Sequence, residues 1–114
     1  MADHGAGERG QEAGRVFRPA DVVAYQDGAV VSRTILEKKT GNVTLFAFDK
    51  GEGLSEHAAP FDALVLVLDG EVEISISGQP QRVKAGEAIL MPAGKPHALR
   101  GVERFKMALV LIRS

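Results

Sequence analysis

The segment Gly86-Glu87-Ala88-Ile89-Leu90-Met91-Pro92-Ala93-Gly94-Lys95-Pro96-His97 sets turn glycines, two rigid prolines and a histidine between apolar runs. Gly86 can reverse the chain at positive φ, and Ala88 to Met91 reads as a short strand. Pro92 and Gly94 then impose a tight turn, after which His97 opens another strand. Upstream, Glu71 to Ser77 alternates cleanly. Val72, Ile74 and Ile76 share one face, and Glu71, Glu73, Ser75 and Ser77 the other, which is the pattern of a half-buried strand. Gly78-Gln79-Pro80 is expected to turn that strand back into Gln81 to Lys84.

Further toward the N-terminus, Val22 to Tyr25, Ala29 to Leu36 and Val43 to Phe48 are rich in β-branched and aromatic residues and are predicted as strands. Asp27-Gly28 and Thr40-Gly41-Asn42 supply reversal chemistry between them, and Lys50-Gly51-Glu52-Gly53 a longer polar bend. No apolar pattern at helical spacing lasts beyond about two turns, so helix is limited to at most a turn near Pro19 to Val23. Ala63 to Leu68 and Met107 to Ile112 are apolar on both faces and need cover on both sides. One side is expected to face a barrel interior and the other a second sheet or a partner subunit, which predicts a homodimer using at least one of these strands. The alternative is that both faces lie inside one sandwich.

Residues 1–15 hold four glycines among charged side chains and almost nothing to bury, so they are expected to form a flexible tail in which His4 is solvated. Residues 16–114 are expected to form one domain, since 114 residues suffice for a single core of ordinary size. Fourteen basic and fifteen acidic residues leave a net charge of −1, too balanced to draw the chain to nucleic acid or anionic lipid. Aromatic residues, at 5%, are too few for base stacking. The chain has no cysteine, which excludes disulfides, thiolate nucleophiles and sulfur-held metal; any ion must be held by histidine, carboxylate, carbonyl or water. With no signal-peptide pattern and no apolar run near ~20 residues, a soluble cytoplasmic protein is expected.

A second segment repeats the logic of the first: Gly51-Glu52-Gly53-Leu54-Ser55-Glu56-His57-Ala58-Ala59-Pro60-Phe61-Asp62-Ala63 leads from a glycine bend through a histidine toward an apolar strand, and that strand ends at Gly70. Together the two segments resemble the paired motifs of the cupin superfamily, in particular its small single-domain conserved-barrel members. The resemblance, which covers roughly Ala29 to Ile112, implies an all-β fold, the double-stranded β-helix or jelly-roll barrel. The second motif of that family is a glycine, five residues, a proline, one residue, a glycine, two residues and a histidine. Gly86, Pro92, Gly94 and His97 meet it, while Gly101 stands where the family often has asparagine. The first motif runs glycine, five residues, His-x-His, three or four residues, glutamate, six residues, glycine. Gly51, His57 and Gly70 meet it, but Ala59 stands at the second histidine and Ala63 at the glutamate.

The resemblance implies a divalent-metal site (Mn, Fe, Co, Ni or Zn) with His57 and His97 as ligands and two of the usual four ligands missing. A complete site of that kind leaves coordination positions open for oxygen or substrate and supports oxygenase, isomerase or decarboxylase chemistry on a small organic molecule. Water, Glu56, Asp62 or a bound ligand would have to fill the gaps, and strand alternation turns Asp62 away from the face of Ala63. The alternative is a non-catalytic binding or sensing module that has lost its metal. In that reading His57 and His97 line an emptier pocket, or act as acid and base on a ligand. Tyr25, the one tyrosine, is then a candidate proton donor, and Met91, Phe105 and Met107 are candidate apolar neighbours of the ligand.

Overall fold

The computed structural model describes residues 8–9 and 11–113. Among these the chain forms β1 (Glu8–Arg9), α1 (Pro19–Val22), β2 (Val30–Lys38), β3 (Gly41–Phe48), β4 (Gly53–His57), β5 (Asp62–Asp69), β6 (Glu71–Ile76), β7 (Gln79–Lys84), β8 (Ala88–Met91), β9 (His97–Gly101) and β10 (Phe105–Ile112). A six-stranded sheet has the order β1-β2-β3-β10-β5-β8, and a four-stranded sheet the order β4-β9-β6-β7. From β4 onward, apart from the β6–β7 hairpin, the chain passes back and forth between the sheets, which is the winding of a jelly-roll barrel. The expected all-β class and architecture are therefore observed.

Alternation along each strand decides what the barrel encloses. Val65 and Val67 of β5, Val72 and Ile74 of β6, and Phe105 and Met107 of β10 point between the sheets and are essentially inaccessible to solvent. Phe48 of β3 lies directly opposite Phe105 of β10, and the two rings stack with centroids 4.4 Å apart and planes 5° from parallel. Both rings are fully buried between the sheets. The hairpin between β6 and β7 turns one residue earlier than Gly78-Gln79-Pro80 predicts. Ser77 takes the positive φ of a two-residue turn (51°) and Pro80 already pairs with Ser75. Pro80 is accommodated because β7 is an edge strand, where a missing N–H breaks no ladder.

One expectation for the N-terminal part needs correction. Val22 to Tyr25 is not a strand. Pro19, with φ already set for a helix, opens the single turn α1, and the following residues run extended without joining a sheet. Their apolar side chains are used as cover: Val22, Val23 and Tyr25 pack on Leu45, Ala47, Ala108 and Leu68 on the outer face of the six-stranded sheet. The outer side of the two-sided strands β5 and β10 is thus covered partly by the chain's own N-terminal segment, a third option beside a second sheet and a partner. The expected tail at residues 1–15 lies in large part outside the described residues, as does His4. Within the described part, Glu8 and Arg9 pair with Glu37 and Leu36 of β2, and the Glu12 carboxylate accepts a hydrogen bond from the Arg33 guanidinium, 2.9 Å away. No helix among the described residues is long and apolar enough to cross a membrane.

Tyr25 is the anchor of this cover. Its hydroxyl donates to Asp69 Oδ2 at 2.5 Å, and the Arg104 guanidinium lies 4.2 Å over its ring. Burial, then the hydrogen bond to Asp69 and the charge on that carboxylate, push the phenol well above its ordinary value. A raised folded value favours the neutral phenol, so this contribution is complete below about pH 10, where an unfolded tyrosine titrates, and is lost as pH climbs further. Urea unfolding of the wild type is expected to weaken more steeply above about pH 10 than that of Tyr25→Phe. Parallel pH dependences would show that the contact does not couple ionisation to folding.

Candidate functional site

His57 is the last residue of β4 and His97 the first of β9, and the two are direct partners in the antiparallel ladder joining those strands. The motif expectation of His57 at the start of the apolar strand is thus refined: a separate short strand carries it. β4 contains no β-branched residue and Leu54 is its one apolar side chain, so the strand draws its definition from pairing with β9. Gly53 permits that pairing. A Cβ at this position would stand 1.8 Å from the carbonyl oxygen of Leu99, a clash with backbone that cannot rotate away. Gly53→Ala is expected to pry β4 from β9, exposing the amides of the β4–β9 ladder to hydrogen exchange at least tenfold faster. Unchanged exchange would mean that the strands part without cost.

The two imidazoles meet edge to face, with centroids 4.4 Å apart and planes at 67°. His57 Nδ1 lies 3.0 Å from the carbonyl oxygen of Ser55 and His97 Nδ1 3.2 Å from that of Lys95. A carbonyl can only accept, so each Nδ1 carries a proton and donates it, and it is Nε2 of each ring that a further group can meet, as a lone-pair acceptor in the neutral tautomer. His97 is buried at 7% exposure, whereas His57 is exposed and stands at the mouth.

Both rings open on a cavity of about 300 Å³ between the sheets. Apart from them its wall is hydrocarbon and thioether: Leu54, Ala59, Phe61, Ala63, Met91, Leu99, Met107, Leu109 and Leu111. Met91 and Met107 are therefore cavity neighbours as expected, while Phe105 is not, being spent on the stack with Phe48. Tyr25 is on the far side of the six-stranded sheet and takes no part. Leu109 and Leu111 were not singled out from sequence, although they continue the period-two face of Met107 and were legible there. Phe61 sits in a loop, where no periodicity marks it.

The loop between β4 and β5 and the turn between β8 and β9 are tied together beside the cavity. Gly94 N–H donates to the Ala59 carbonyl at 2.7 Å, and Ala93 N–H to Asp62 Oδ1 at 2.8 Å. Gly94 makes this turn with φ of 78°. Asp62 is thus a positioning residue for the turn, and Glu56, next to His57 in an alternating strand, is exposed. Ala59 and Ala63 both lie on the cavity wall where the resemblance expects ligands. Among the described residues no three histidine or carboxylate side chains gather into a group that would hold an ion. The residues present therefore do not make the family's ligand set. They make two imidazoles in an apolar wall.

Residues 44–112 match the family model described as a cupin domain. This chain belongs to the cupin family. The crystal structure of a conserved protein of unknown function from Streptococcus pyogenes superposes on this cupin with a TM-score of 0.85 at 38% identity, covering 89% of each chain. A cupin 2 conserved barrel domain protein from Leptotrichia buccalis is 47% identical with a TM-score of 0.79, over 82% of this chain and 45% of that one. Among curated proteins, the dimethylsulfoniopropionate lyase DddQ of Ruegeria pomeroyi is 40% identical over 58 residues, which is 50% of this chain and 29% of the lyase. The cupin thus spans less than a third of the curated relative it matches.

Proposed function

We propose that this cupin is a small-molecule binding module in which His57 and His97 present hydrogen-bond acceptors to a ligand held in the barrel. The observation that supports this reading is the cavity wall, where Ala59 and Ala63 occupy the places of ligands and every other neighbour of the two imidazoles is apolar. A cavity of this size and character sits at the lower end of the range in which proteins bind small organic molecules. The test is titration of chelator-treated protein with Mn, Fe, Co, Ni and Zn beside a fragment screen read by amide NMR. Expected are metal affinities no tighter than roughly millimolar, about −4 kcal/mol, and fragment-induced shifts at Leu54, Leu99 and Leu109. Stoichiometric micromolar metal binding would overturn the reading.

A second reading, a divalent-metal-dependent enzyme of the oxygenase, isomerase or decarboxylase kind, is favoured by one observation: both Nε2 atoms are left free on rings that share one cavity. In that case His57 and His97 are the metal ligands and water or substrate completes the coordination. The lyase activity of the Ruegeria pomeroyi relative is not carried over. The substrate in its name bears a sulfonium cation, and no carboxylate lines this cavity to pair with it.

We also propose a homodimer through the outer face of the six-stranded sheet. Leu66 and Leu90, 39% and 57% exposed, lie on the paired strands β5 and β8 and add to an apolar surface that the N-terminal segment leaves bare. Light scattering is expected to give twice the chain mass for the wild type and a monomer for Leu66→Glu. A monomeric wild type at micromolar concentration would refute the dimer.

A further inference from the structure

We infer that the ligand of this cavity is an uncharged, ring-sized molecule that donates a hydrogen bond, a phenol or aryl alcohol in chemical class. The inference rests on the reading of the site as a binding module and adds what the module selects. Size comes first. A dry apolar cavity of about 150 Å³ is enough for benzene, so about 300 Å³ takes one ring with a short substituent. The wall also suits a ring, because the thioethers of Met91 and Met107 make favourable contacts with aromatic edges and Phe61 can stack or meet one edge-on.

Charge and hydrogen bonding narrow the class. An ion placed among Leu99, Met107 and Leu109 would lose its hydration against hydrocarbon, so the wall favours a neutral occupant. The only polar groups it meets among the lining side chains are the two imidazoles. Their Nδ1–H groups are committed to the carbonyls of Ser55 and Lys95, and among the described residues neither Nε2 has a protein partner. A ligand carbonyl or ether would set lone pair against lone pair. A hydroxyl donates instead, and it donates to a ring whose orientation the backbone has already set.

The test uses the full chain in the presence of chelator, titrated with p-cresol, toluene, 4-methylanisole and p-toluate, four probes of similar shape. Calorimetry and the ring ¹⁵N resonances of the histidines report the outcome. p-Cresol is expected to bind roughly three- to tenfold tighter than toluene, the worth of one buried hydrogen bond, and to move an Nε2 resonance of the unprotonated type toward the protonated position. In whichever of His57→Phe and His97→Phe removes the acceptor, the preference for cresol should fall to near parity while toluene still binds. The exposed position of His57 keeps one of the two variants safe from misfolding. Toluene binding as tightly as cresol, or anisole or toluate binding best, overturns the donor inference and leaves the binding module standing. No saturable binding by any probe, or displacement of cresol by one equivalent of a first-row metal ion, overturns the module and the inference with it.

Discussion

Introducing ligands at the two alanine positions, Ala59→His together with Ala63→Glu, is expected to raise the affinity of the cavity for a first-row divalent ion sharply. Both alanines line the cavity that the two histidines share. Ala63 is 5% exposed and pairs with Met91 on one side and Leu111 on the other, so a carboxylate introduced there is held on the wall. The backbone bond from Gly94 to the Ala59 carbonyl does not depend on the side chain and survives the change. Without metal the variant carries a carboxylate among apolar groups, which costs several kcal/mol or forces the acid to stay protonated, and its melting temperature should drop. With metal present at a hundredfold excess over its dissociation constant, linkage returns about 2.7 kcal/mol. For a domain of this length that is a rise in melting temperature of roughly 10 °C or more. Thermal scans of wild type and variant with and without Zn or Ni check it, and an equal response of both proteins would show that Ala59 and Ala63 are not the ligand positions of the motif.

Phe105→Ala is expected to remove a large share of the protein's stability. Phe105 and Phe48 are both 0% exposed, and each is the other's nearest aromatic partner across β10 and β3. Deleting a fully buried ring costs about 3–5 kcal/mol through lost transfer energy and the cavity left behind. Such a loss weighs against a total of about 5–15 kcal/mol for a typical domain. Urea unfolding should show the midpoint collapsing with little change in slope, whereas Val16→Ala at a fully exposed position should shift it by no more than about 0.5 kcal/mol. A loss below about 1 kcal/mol for Phe105→Ala would mean the surrounding core refills the space.

Much of the fold was legible because its signals are local. Gly86 and Gly94 take the positive φ values, 89° and 78°, that the motif implies, and β8 and the start of β9 fall where Pro92 and His97 place them. The alternation of Val72 and Ile74 against Glu71 and Glu73 reports which face of β6 is buried, since period two survives any tertiary arrangement. Val22 to Tyr25 misled because β-branched and aromatic residues serve equally well as a strand or as an unpaired cover. β4 escaped notice for the opposite reason: Gly53, Ser55 and Glu56 have little strand character, and the ladder with β9 forms them into one. Phe105 and Met107 share a face of β10, and nothing along that strand tells that one meets Phe48 and the other the cavity.

The sequence by itself determined the class of fold, the strand faces and the fact that His57 and His97 stand in motif positions opposite two alanines. These follow from φ restrictions at glycine and proline and from side-chain period, which act within a few residues. Only the tertiary structure decided that the two imidazoles sit in direct register across β4 and β9, and that their Nδ1 protons are engaged by backbone carbonyls. It likewise placed hydrocarbon around them and moved Tyr25 to the other side of the sheet. Those outcomes depend on strand register and on which sheet each strand joins, and such choices are made by packing between segments far apart in the chain.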